Sequence, residues 1–145
     1  MRWTPTEEEL RRSAAHVAYE IRAFRLAWAH HSSNMFAYTA WFIHCRNLLA
    51  FFEGRGKGKD LLARHYINGN EWHDMLNRVQ KPDNLPEWRK ALSRLAAHLT
   101  YHRVELAEGA FVPNALLTSY VLGLALEFLR LLPPPRLAWF GDMLL

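Results

Sequence analysis

Two short segments carry the side chains best suited to chemistry. In "WFIHCRNLLAFF", residues 41–52, His44, Cys45, Arg46 and Asn47 interrupt an aromatic and aliphatic run. In "AAHLTYHRVE", residues 96–105, His98 and His102 stand one helical turn apart with Arg103 beside them. An imidazole titrates near neutrality and can take or give a proton, and a guanidinium can stabilise a developing anion. His98-x3-His102 followed by Glu105 is also a spacing that zinc accepts on one helical face, with His44 as a further nitrogen. The glutamate adjacent to the first His in metalloproteases is missing, and such a pair is commonplace in a chain with 8 His. No metal and no cofactor is expected. Cys45 has no neighbour that would make it a nucleophile and reads as a small core residue.

The elements that hold these groups explain why they belong together. At about 100° per residue, Trp41, His44, Cys45, Leu48, Phe51 and Phe52 share one broad helical face. Asn47 lies at its border, and Arg46 falls on a narrow opposite strip with Thr39, Ala50 and Glu53. In the second segment Trp88, Leu92, Leu95, Leu99 and Leu106 form the apolar stripe. His98 and His102 lie on one edge of that stripe and Arg103 on the other. Unpaired buried polar groups are costly, so the two inserts should meet and satisfy one another. The expected constellation is His44, Asn47, His98, His102 and Arg103, with Arg46 and Tyr101 nearby. Its two readings are a buried network that fixes helix register and a site for acid–base work.

"IHCRNLLAFF" followed some fifty residues later by "HLTYHR" resembles a group of bacterial helical proteins with the pattern His-x-Arg-Asn-Leu, aromatics, then His-Leu-Thr and an Arg. More distantly, the chain is similar to the HEPN (higher eukaryotes and prokaryotes nucleotide-binding) superfamily of helical bundles. Many of those are metal-independent ribonucleases with an Arg and a His separated by four to six residues, the first of them polar. The resemblance implies a helical bundle that binds or cleaves RNA. Arg46-Asn47 supplies the first half of the motif, but positions 51–53 are Phe, Phe and Glu. Arg11 to His16 and Arg25 to His30 or His31 have permitted spacings, but the residue after Arg11 is a second cation, Arg12, and the one after Arg25 is Leu26. Chance alone gives about two such matches in a chain of this composition. No motif decides whether the protein is an enzyme.

Helix signals frame both segments. Thr4-Pro5-Thr6-Glu7 reads as a capped start, with Thr4 as the cap and Pro5 in the first turn. The helix it opens should run to about His30, with Val17, Ile21, Phe24 and Trp28 at spacings of three and four. "HHSSN" breaks it, and Ser33 or Asn34 caps a second helix that the glycines after Glu53 stop. Residues 60–82 look irregular, with short helical pieces. A further helix runs from "DNLPEW" to about Leu106, and a last one from about Asn114 to Leu132, before three prolines. No stretch alternates with period two. The expected fold is all-α, one domain over 1–145, an antiparallel bundle of four long helices with an irregular excursion near 54–84.

Composition excludes several classes. Half the 145 residues are hydrophobic, so the chain is not a disordered one. With only Cys45, no internal disulfide can form and a reducing, cytoplasmic setting fits. The run "FVPNALLTSYVLGLALEF" is broken by Pro113, Asn114 and Gly123 and reads as a buried helix, so no membrane contact is expected. A net charge of +4 permits nucleic acid without arguing for it. The one basic patch, "EGRGKGKD", lacks the spacing and hydroxyl of a phosphate loop and reads as a solvated loop. In the tail "PPPRLAWFGDMLL", the prolines should be extended and deliver Leu137, Trp139 and Phe140 to this bundle or to a second copy. A homodimer is the expected assembly. The favoured reading is an oligomeric binding or regulatory protein, and the alternative is a HEPN-like RNA-binding or RNA-cleaving one.

Overall fold

The computed structural model describes residues 2–97 and 111–144. All regular structure among them is helical: α1 (Glu7–His30), α2 (Met35–Glu53), α3 (Ala63–Tyr66), α4 (Gly69–Arg78), α5 (Leu85–Ala97), α6 (Ala115–Leu131) and α7 (Pro134–Leu137), with a 3-10 segment over Ala138–Leu144. The all-α expectation holds. His98, Tyr101, His102, Arg103 and Glu105, and the helix end near Leu106, lie outside the described residues.

"TPTEEE" offers two overlapping capping boxes, and the chain uses the second. Thr6, not Thr4, is the cap: its hydroxyl accepts from Glu9 N–H, and the Glu9 carboxylate accepts from Thr6 N–H. Pro5 therefore precedes the cap instead of sitting in the first turn. This register puts Glu7, Glu8 and Glu9 together in the first turn, where the positive end of the helix dipole favours them. From there Leu10, Ala14, Val17, Ile21, Phe24 and Ala27 form one buried stripe.

Asn34 opens α2 by accepting from the backbone of Phe36 and Ala37. Gly54 closes it at φ 76°, a left-handed conformation that suits glycine. That end is covered from outside the helix, because the Trp72 indole N–H donates to Phe52 O at 2.8 Å. An added Cβ on Gly54 would sit 3.0 Å from the same ring. Asn114 caps α6 through Leu117 N–H, and Thr118 Oγ accepts from the Trp41 indole at 2.9 Å, joining α6 to α2.

One apolar cluster draws residues from every helix except α7, whose Leu137 packs against it. Phe51, Phe52, Tyr66, Phe128 and Phe140 form a five-ring knot within it, with neighbouring centroids 5.1 to 6.0 Å apart. Gly123 allows a close approach, as its missing Cβ would lie 3.0 Å from Val79.

The tail corrects an expectation. Only Pro133 is extended, with φ −56° and ψ 144°. Pro134 and Pro135 start a helical turn instead, since a fixed φ near −65° and no N–H to satisfy suit first-turn positions. The turn folds the tail back on its own chain. Phe140 is buried against Tyr66 and Phe128, and Leu137 and Trp139 pack half-buried against the same cluster, so this apolar block covers its own core. Arg136 fixes it, donating to Tyr66 O at 2.7 Å and pairing with Glu7.

Candidate functional site

His44 is placed by α2 one turn before Leu48, on the seam with α1. Its partner is a residue the sequence reading did not single out, Glu20. His44 Nδ1–H donates to Glu20 Oε2 at 2.6 Å, and both side chains are nearly enclosed, at 13% and 12% exposure. Asn47 Nδ2 donates to Glu20 Oε1 at 3.4 Å, and His16 Nε2 lies 3.7 Å from the same oxygen. The Tyr19 ring bridges the two imidazoles, stacked on His16 and edge-on to His44. The polar insert of α2 is thus satisfied by α1. Its signal was in the sequence: Glu20 is three residues after Val17 and four before Phe24, at the edge of the buried stripe.

Glu20 stands on a divide. Its Oε1 side opens on a cleft of about 480 Å³ between α1, α2 and the 55–62 loop, lined among others by Arg12, His16, Asn47, Arg55 and Asp60. Its other oxygen holds His44, which lines a neighbouring groove with Tyr19, Arg22 and Phe36. A carboxylate on Nδ1 fixes the imidazole tautomer, so Nε2 of neutral His44 is left as the acceptor. Within the cleft itself, His16 is the imidazole available for proton transfer.

The 54–60 loop forms one lip of this cleft. Its backbone is not a phosphate cradle, because Lys57 N–H already donates to Asp60 Oδ2 at 2.7 Å. Gly56 is required by crowding: a Cβ there would come within 2.7 Å of Asp60 and 2.9 Å of Leu62. The loop brings cations instead. Arg55 lines the cleft, Lys57 and Lys59 follow in the same exposed loop, and Arg12 faces it from α1. Arg12 is engaged with Glu8 at 2.9 Å on the surface, a type of pair worth little and readily exchanged.

Other expectations sort as follows. Asn47 and Arg46 are exposed, so the network about His44 is not sealed in the core. Cys45 is fully buried, and burial followed by the Glu53 carboxylate pushes its thiol well above the ordinary range. It is a core residue and no nucleophile. Glu53 was placed with Arg46 on an outward strip, yet its side chain is only 6% exposed. It accepts from both Nε and Nη2 of Arg89 and, at 3.4 Å, from the Tyr120 hydroxyl. The α5 and α6 helices cover the Glu53 end of that strip and leave Arg46 exposed. Among the described residues no three His, Cys, Asp or Glu side chains converge as metal ligands, and no helix is long and apolar enough to cross a membrane.

Comparison with known proteins leaves the geometry to speak alone: no family model, curated protein or solved structure significantly matches the chain.

Proposed function

We propose that the protein is a HEPN-like RNA-binding protein, an antiparallel bundle of four long helices that takes the phosphodiester backbone of a single strand in the cleft between α1 and α2. One observation carries the reading. Arg55, from the basic patch of the sequence, and Asn47, from the polar insert of α2, line the same open cleft as Arg12 and His16 of α1. Arg55 and Arg12 meet phosphate oxygens, His16 and Asn47 offer hydrogen bonds, and Glu20 keeps the strand off the seam by repulsion. Such contacts bind by displacing counterions and carry no sequence preference of their own. Cleavage of the same strand requires a proton donor and acceptor about one phosphate, and His16 is the group in position for one of those roles.

Fluorescence anisotropy of a labelled single-stranded RNA tests this. Affinity should fall steeply with salt, and Arg55→Ala should lower the slope of log affinity against log salt by roughly 0.7, the value of one phosphate contact on a single strand. Arg12→Ala should do the same. Absence of binding at low salt with tens of micromolar protein rejects the proposal. Intact RNA on a denaturing gel after prolonged incubation removes the cleavage version alone.

A further inference from the structure

A second concavity shares no lining residue with the cleft between α1 and α2. The segment before α1, the short α3 and the first turn of α4 enclose about 660 Å³, within the size range of small-molecule sites. Its walls include two indoles, Trp3 and Trp72, two guanidiniums, Arg2 and Arg64, and two imidazoles, His65 and His73. Among the described residues no carboxylate lines it. That combination is unlike the cleft described above, which has Glu20 and Asp60 in its walls.

Each wall is held in place. The Trp72 indole N–H is fixed on Phe52 O, and the Trp3 ring stands edge-on to His65 with centroids 5.8 Å apart. His65 Nδ1 accepts from Leu62 N–H at 3.0 Å, so its proton sits on Nε2, which remains a donor. Burial, then the charges of Arg64 and Arg2, hold this imidazole below its ordinary pKa. A neutral His beside two cations, with no acid among the described residues that line the pocket, leaves the site electropositive and in want of an anion. Indoles beside that anion site suit a flat heteroaromatic ring, because stacking on tryptophan favours any base.

We propose that this pocket binds a nucleotide, with its base against the indoles of Trp3 and Trp72 and its phosphate between Arg2 and Arg64. The inference stands on these residues and does not depend on the RNA reading of the first cleft. A free mononucleotide and the terminal nucleotide of an RNA strand present the same chemistry, and competition separates the two.

The experiment is calorimetric titration of the full chain with AMP, GMP and UMP. Binding is expected for at least one, and adenosine and ribose 5-phosphate, each lacking half of the ligand, should bind at least about tenfold more weakly. Trp3→Ala should weaken nucleotide binding by roughly 5- to 160-fold, the range for loss of one stacked base. Arg2→Ala, at an exposed position, should weaken the nucleotide but leave adenosine unchanged. Circular dichroism of each variant checks the fold. Arg55→Ala, which lowers RNA affinity through the other cleft, should leave nucleotide binding unchanged. Displacement of AMP by a short RNA only when that RNA carries a terminal phosphate assigns the pocket to strand ends; no displacement assigns it to free nucleotides. No heat with any of the three nucleotides, or AMP binding unaltered in folded Trp3→Ala, overturns the proposal.

Discussion

Glu20 and Glu53 both serve α2, yet their surroundings could hardly differ more. Glu53 closes the helix and is gripped by a bidentate guanidinium from α5 and a phenol from α6. Its charge is permanently neutralised by a residue that does not lose its proton. Glu20 reaches α2 from α1 and holds one short bond to His44, one long bond to Asn47 and a loose approach to His16. It borders a cleft of about 480 Å³, while Glu53, under α5 and α6, borders only a concavity of about 170 Å³. The comparison teaches how to separate a polar group that holds a fold from one that is available to a ligand. Full satisfaction marks the first, and spare hydrogen-bonding capacity beside solvent marks the second.

The sharpest break is Arg89→Ala. It leaves Glu53 buried without a counter-charge, and breaking such a pair costs about 3–5 kcal/mol. Urea unfolding should show the loss, with RNA affinity unchanged wherever the variant remains folded. A loss under about 1 kcal/mol would put the pair in the class of exposed ion pairs and erase the contrast.

Glu20→Gln probes the other carboxylate. The amide keeps an oxygen for His44 but loses the charge, so stability should fall by only about 1–2 kcal/mol. Removing a negative charge from the wall of the cleft should strengthen RNA binding several-fold at low salt, visible by anisotropy. Weaker binding would mean that Glu20 orders the site instead of repelling the strand.

The smallest effect is expected for Tyr120→Phe, below about 1 kcal/mol at neutral pH, because its bond to Glu53 is 3.4 Å long. Alkaline pH narrows the difference. Burial first, and then the Glu53 carboxylate, push this phenol far above its ordinary value of 10.0. A group whose pKa is raised by folding contributes stability in full below the unfolded value and loses it as pH rises beyond. The wild type should therefore lose stability above pH 10.0 more steeply than Tyr120→Phe, by thermal melts across that range.

Much of the frame was legible because it rests on local rules. The bounds of α1 and α2 follow from His30, Asn34 and Gly54, and those of α6 from Asn114 and the prolines. The pairing of side chains was less accessible. The types and positions of His44 and Asn47 show that they need partners, but Glu20 does not stand out, because an acid in a helix with Arg11, Arg12, Arg22 and Arg25 passes for part of a solvated face. Helical phase, taken with the apolar stripe, would have shown otherwise. Glu53 could not be placed by phase, since burial of that strip depends on where α5 and α6 pack. The prolines were misjudged for a related reason: their fixed φ fits both an extended run and the first turn of a helix, and tertiary contact through Phe140 and Arg136 decides.

The position of Phe140 also bears on how the molecule is made. Its ring completes a knot whose other members come from α2, α3 and α6, and Arg136 beside it pairs with Glu7. During synthesis the first helices are exposed long before residue 140 is joined to the chain. Until then Tyr66 and Phe128 face a gap, and the nascent protein carries an unfilled apolar slot that a chaperone or another chain can enter. Final closure is a late event by topology, whatever the speed at which the individual helices form.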